Sequence, residues 1–180
     1  MKLPMSRSER LRRRRRIRAR EWTVAVLLAV SLAVMIRIFV FEPFNVVGPS
    51  MQTTLETGNL ILVNKLVYRF GEPRRGEVVV FHAPHHKDYV KRVIALPGET
   101  VEAKNNKILI NGKIMEEPYL VAEMRTRDFD LVKVPPGKVF VLGDNRLDST
   151  DSRVIGPIGM SAIVGRAEIV YWPFNHWKLL

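Results

Sequence analysis

The 180-residue chain carries 29 Lys and Arg against 18 Asp and Glu, a formal charge of +11, with 47% hydrophobic residues and no cysteine. The length allows about one domain plus an appendage, the apolar share excludes a disordered chain, and the missing cysteines exclude disulfide scaffolds, thiolate catalysis and cysteine-based metal sites. Ten of the basic residues crowd into positions 1–20 beside a single acid, Glu9, so the rest of the chain is close to neutral and offers no basic groove for nucleic acid.

Residues 1–20 read as a basic cytoplasmic tail whose role is to set topology and to touch anionic lipid. From Trp22 to Ile36 no charge occurs, and after Arg37 come Ile38, Phe39, Val40 and Phe41, twenty positions in all. At about 1.5 Å per residue such a helix spans about 30 Å, the hydrocarbon thickness of a bilayer. Residues 21–41 are therefore expected to form a transmembrane anchor, with Arg37 snorkelling near its exit. Arg10, Arg12 to Arg16, Arg18 and Arg20 precede the run, which predicts a cytoplasmic N-terminus and an extracytoplasmic remainder. A cleaved secretory leader is the rival reading, but its small-x-small site is badly placed: Ala29-Val30-Ser31 would release too little apolar chain, and Gly48-Pro49-Ser50 holds a proline.

Beyond Pro43 short runs of Val, Ile, Leu and Phe alternate with Gly, Pro and Asn, the spacing of an all-β fold. Strands are expected at 44–47, 59–64, 77–82, 89–96, 100–103, 107–110, 113–115, 138–142 and 162–172, with no helix-length amphipathic pattern among them. Asn105-Asn106 and Asn111-Gly112 are hairpin turn signals, because both central residues of such turns favour φ > 0. The stretch 100–136 thus reads as a small β-hairpin satellite inserted into a main β domain of 42–99 and 137–180.

Segments that can carry chemistry are Gly48-Pro49-Ser50-Met51, Gly76-Glu77-Val78-Val79-Val80-Phe81, Tyr89-Val90-Lys91-Arg92 followed by Leu96-Pro97-Gly98, and the run from Gly143 to Arg153. Each alone is ordinary: a serine after Gly-Pro is usually a turn residue. Of the four histidines, His82, His85 and His86 share one link between strands and His176 stands apart. The trio lacks helical context and, apart from Asp88, a carboxylate partner, so a solvated loop is the simpler reading than a metal site. Without a histidine base, a serine would need a lysine, which must be neutral to accept a proton. Burial supplies that condition by disfavouring the charged form. Lys91 is flanked by Tyr89, Val90, Val93 and Ile94, and strand alternation sends Arg92 to the other face.

The order of these segments resembles the type I signal peptidases, membrane-bound serine proteases that remove signal peptides from exported preproteins. It comprises an anchor, Gly-Pro-Ser-Met, Tyr-Val-Lys-Arg-Val-Ile-Ala-Leu-Pro-Gly, and Gly-Asp-Asn-Arg-x-x-Ser-x-Asp-Ser-Arg. The resemblance covers residues 20–175 and points to the compact Gram-positive form. It implies Ser50 as nucleophile, Lys91 as general base, Ser149 orienting the Lys91 amine, and Asp151 with Arg153 bracing the loop. It further implies that Phe44, Val46, Met51, Leu55, Tyr89 and Val90 line the substrate pockets. No cofactor or metal is implied, and the partners are secretory preproteins and the lipid bilayer. The family usually has proline where this chain has Thr53, and glycine where it has Ala95; neither change removes a reacting group. A non-catalytic β-module that binds exported chains is the alternative from another class, and the joint presence of Ser50, Lys91, Ser149 and Asp151 argues against it. A self-cleaving Ser/Lys regulator would carry a DNA-binding domain that is missing here.

Overall fold

A computed structural model describes residues 7–83 and 87–180, with side chains described at 18, 20–37, 39–83 and 87–180. His85 and His86, and the Arg10 and Arg12 to Arg16 side chains, lie outside the described residues. Two compact units are present, 1–40 and 41–180.

The first unit contains α1 (Arg7–Phe39). Trp22, Leu27, Leu28, Leu32 and Met35 are all exposed along it. Among the described residues no helix is long and apolar enough to cross a membrane. The apolar run predicted as an anchor includes Ile38, whose side chain is outside that set.

The second unit is mainly β. Its larger sheet contains β1 (Phe41–Asn45), β2 (Leu60–Asn64), β3 (Val78–Ala83), β4 (Lys87–Ala95), β9 (Lys138–Leu142), β10 (Ile158–Gly159), β11 (Ile163–Trp172) and β12 (Lys178–Leu179). The order is β1-β2-β11-β3-β4-β9-β10, with β12 also paired to β11, and the pairings are antiparallel. Position in the sheet explains the residue patterns. In β2 burial alternates, with Ile61 and Val63 inward, as expected for a strand with one covered face. The central β3 and β4 are buried on both faces from Val78 to Phe81 and from Lys91 to Ala95; β3 accordingly reads as a continuous apolar run, while β4 buries Lys91 and Arg92 ahead of Val93, Ile94 and Ala95.

Phe41 and Pro43 belong to β1, so the predicted anchor end at 41 gives way to a helix ending at Phe39 and a strand that starts earlier than expected. Proline is tolerated there because β1 lies at the sheet edge, where a missing N–H costs no ladder bond.

The smaller sheet has β5 (Thr100–Lys104), β6 (Lys107–Ile110), β7 (Lys113–Ile114) and β8 (Phe129–Lys133), in the order β7-β6-β5-β8. Asn105, Asn106, Asn111 and Gly112 have φ of 50°, 63°, 50° and 75°, the left-handed pairs that close its two tight hairpins. Strand β8 escapes the sequence pattern because its charged residues leave no apolar alternation; Asp130, Leu131 and Lys133 are exposed. The two-residue strands β10 and β12 are too short to carry a period at all.

Candidate active site

Ser50 lies in the turn that follows β1, and the turn is fixed from below. Met51 and Leu55, on either side of one helical-type bond from Leu55 N to Met51 O of 2.7 Å, are buried beside Val46, Ile61, Val63 and Val170. Hydrophobic burial thus anchors the residues after the serine while Ser50 itself stays half-buried.

Lys91 projects from the middle of β4, where Val79 of β3 is its register partner. It is only 3% exposed. Its Nζ lies 2.8 Å from Ser50 Oγ, donates to the Val90 carbonyl at 3.0 Å, and sits 5.0 Å from the centre of the Tyr89 ring. Burial brings its pKa down to about 8, against the opposing pull of the Asp151 and Asp144 carboxylates. At neutral pH about a tenth of such an amine is free of its proton. A neutral amine at hydrogen-bond distance from a hydroxyl can take that hydroxyl's proton.

Loop 143–151 closes the site from the other side, between β9 and α2 (Ser152–Ile155). Asn145 N–H donates to the Ser50 carbonyl at 3.0 Å, and its Nδ2 donates to the Pro49 carbonyl at 3.2 Å. A Cβ at Gly143 would overlap the Ser50 carbonyl oxygen and the Ser149 hydroxyl, so only glycine allows this approach. Asp151 is fully buried, caps α2, and accepts from Gly143 N–H at 3.0 Å. Arg153 pairs with it in a fork of 2.8 and 2.7 Å and donates to the Arg146 carbonyl at 2.6 Å. Burial by itself would raise the Asp151 pKa, but the Arg153 and Gly143 donors outweigh it and hold the carboxyl below its usual range.

Ser149 is not placed as the resemblance implies. Its Oγ is buried without a hydrogen-bond partner, and the Lys91 amine is engaged by Ser50 and Val90 instead. The Ser149 hydroxyl is the least of the groups that hold the Asp151 carboxyl below its usual range.

A cleft of about 330 Å³ opens beside Ser50 and Lys91, and Phe44, Val46, Met51, Tyr89 and Val90 line it. Leu55 does not; it is fully buried in the core beneath the serine turn, because its spacing of four from Met51 puts it one helical turn deeper. His82 Nδ1 lies 2.6 Å from Asp88, and His176 faces Glu56 and Asn59, so neither is bonded to Ser50. Among the described residues no group of three or more His, Cys, Asp or Glu is arranged to hold a metal ion.

Sequence reasoning missed the roles of Arg92, Asp144 and Asn145. Arg92 and Asp144 form a buried fork of 2.9 and 2.6 Å across 52 positions, with Thr54 and the Gly76 carbonyl completing the guanidinium's bonds. The Gly-Asp-Asn-Arg run was visible as a motif, but a pairing that distant leaves no spacing signal.

The family described as "Signal peptidase, peptidase S26" matches residues 19–172. Signal peptidase I of Bacillus caldolyticus is 46% identical over 169 residues, covering 87% of this chain and 91% of that protein. Signal peptidase I T of Bacillus subtilis is 46% identical over 169 residues, with 88% of each chain covered. Signal peptidase IB of Staphylococcus aureus is 37% identical over 175 residues, covering 88% of this chain and 92% of that protein. A crystal structure of a signal peptidase I from Enterococcus faecalis is 33% identical, with a TM-score of 0.48 over 53% of this chain and 97% of that one. A match of this extent, on a mainly β chain whose motifs stand in the same order, places the protein in the S26 signal peptidase family, the serine peptidases that cut signal peptides from preproteins.

Proposed function

We propose that the reaction is carried by Ser50 as nucleophile and Lys91 as general base, acting from a membrane-anchored chain on preproteins with small residues at positions −1 and −3 of the cut. The observation that carries the reading is the 2.8 Å approach of a buried lysine amine, with a pKa brought down to about 8, to a serine hydroxyl.

Neutral Lys91 takes the Ser50 proton as the oxygen attacks the scissile carbonyl, giving a tetrahedral oxyanion and an ammonium. The Ser50 backbone N–H is the first donor to that oxyanion; Gly48 has no hydroxyl to offer, so any second donor is a backbone group or another side chain. The Lys91 ammonium then protonates the leaving amine, which departs with the C–N electron pair. The amine, neutral again, takes a proton from water as the water oxygen attacks the ester carbonyl; the tetrahedral intermediate then expels Ser50 Oγ, which takes the proton back from the Lys91 ammonium. Asp151, Arg153 and Ser149 support this chemistry from the loop. The first two fix the backbone of Gly143, and the unpaired Ser149 hydroxyl is a polar group free to meet the amine as it changes charge.

Substrate enters as an extended strand along the cleft, with main-chain hydrogen bonds giving affinity. Val46 and Met51 are almost wholly buried and so form a shallow apolar floor that suits small side chains. The anchor reading rests on the twenty positions from Trp22 to Phe41, which carry a single charge at Arg37, and the basic residues before them.

The test is incubation of the detergent-solubilised chain with a preprotein. A single cut after a small-x-small site, lost in Ser50→Ala, supports the reading; turnover retained in that variant moves the nucleophile elsewhere. For topology, protease added to intact spheroplasts should digest residues 42–180 and spare the N-terminus.

A further inference from the structure

The connection from β7 to β8 contains no helix or strand, yet it supplies partners of two of the arginines that hold loop 143–146, Arg146 and Arg92. Arg146 is the largest fully buried side chain. Its guanidinium takes both carboxylate oxygens of Glu117, donates to Thr126 Oγ1 at 2.9 Å, and returns one bond of 3.1 Å to the Gly143 carbonyl. Tyr119 OH donates to the same Glu117 carboxylate at 2.8 Å, and its ring lies 3.9 Å from the Arg92 guanidinium carbon. Arg92 in turn holds Asp144. From Gly143 and Asn145 the path is immediate: one abuts Ser50 and the other bonds its carbonyl.

We infer that Glu117 and Tyr119 are positioning residues for the Ser50–Lys91 chemistry, holding loop 143–146 against the serine turn from the connection after the small sheet's strand β7. The inference rests on the Ser50/Lys91 reading. Removing Glu117's charge leaves Arg146 as a buried cation without its anion, which must turn toward water and release the Gly143 carbonyl. Removing the Tyr119 ring takes away the aromatic face over which the Arg92 guanidinium sits. In either case the loop gains room to shift, and a displacement of about 1 Å at a reacting group costs about a hundredfold in rate.

The experiment uses the full-length chain in detergent and a preprotein with a small-x-small site. Glu117→Gln and Tyr119→Leu are expected to lower kcat about ten- to a hundredfold with KM changed less than about threefold. The rising limb of kcat/KM should move to higher pH, since a relaxed loop admits water to Lys91 and weakens the effect of burial. Tyr119→Phe, which keeps the ring, should recover most of the kcat that Tyr119→Leu loses. A purely structural role would lower the melting temperature while leaving kcat of the folded fraction and the pH limb in place, and that result would overturn the inference. Should Tyr119→Leu fail to fold, Glu117→Gln, which changes no volume, decides the matter by the same readouts. Ser50→Ala run in parallel separates the two levels. If Ser50→Ala still cuts, the dyad reading fails; if it is inactive while Glu117→Gln and Tyr119→Leu keep full kcat and their pH limb, only the positioning role fails.

Discussion

Gly143 lies directly against Ser50: the space a β-carbon would need at 143 is filled by the Ser50 carbonyl oxygen and the Ser149 hydroxyl. A backbone oxygen cannot swing aside as a long side chain can. Gly143→Ala is therefore expected to push the loop off the serine turn, at a stability cost of about 1–3 kcal/mol and a loss of kcat of about a hundredfold or more. Thermal unfolding and preprotein cleavage measured on the same preparation check both.

On the proposed dyad, Ser50→Ala and Lys91→Met should each abolish cleavage, and the double variant should be no worse than either, because a nucleophile and its base act as one unit. Single-turnover assays against a preprotein measure this. Lys91→Met carries a second expectation. A lysine with a pKa of about 8 is held below its free value of 10.5 by burial, so at neutral pH the fold carries a charged group it does not favour. Replacing it should raise stability by up to about 3 kcal/mol, seen as a higher melting temperature in an inactive protein.

The same shift sets the pH dependence. With Lys91 as the proposed base, the neutral amine is the working form, so kcat/KM should rise with pH through about 8. For stability, the unfolded chain binds the Lys91 proton more tightly than the folded one. Between about 8 and 10.5 the unfolded state therefore holds more protons, and stability contributed by this residue rises with pH across that window. Replacing His82 and His176 should leave the rising limb in place; its loss in a folded protein would make a histidine the base.

Asp151 gives the same sign of slope, in an acid window. Its folded pKa lies below the usual carboxylate value of 3.8, so the stability it contributes is fully present above that value and is lost as pH falls through the folded pKa. Asp151→Asn should remove this acid sensitivity and cost about 3 kcal/mol or more at neutral pH, because Arg153 would stay largely buried without its anion. Urea titrations at neutral and acid pH compare the two proteins.

Ser149→Ala isolates a hydroxyl that the resting fold does not use. With no hydrogen bond to lose, the melting temperature should hold within about a degree or two. Cleavage should nevertheless fall by about one to three orders of magnitude if the hydroxyl meets the Lys91 amine during turnover. Unchanged kcat would remove Ser149 from the supporting set.

Much of this protein is legible in one dimension. Local chemistry announces itself through period and composition: alternation in β2, the continuous apolar run of β3, and the Asn-Asn and Asn-Gly pairs that close the small sheet's hairpins. The order of Gly-Pro-Ser-Met, Tyr-Val-Lys-Arg and Gly-Asp-Asn-Arg was enough to name Ser50 and Lys91 as a pair. What stayed hidden depends on groups far apart in the chain. Leu55 shares a motif with Ser50, but its depth is set by Ile61, Val63 and Val170 packing around it. Strand β8 forms because β5 offers it an edge, despite a sequence without apolar alternation. The bonds of Asn145 to the serine turn, the Arg92–Asp144 fork and the grip of Glu117 on Arg146 join residues 29 to 96 positions apart, and burial strengthens the two charge pairs among them. Sequence spacing carries no trace of such contacts, because the desolvation that makes a charge pair matter exists only once the sheets have closed around it.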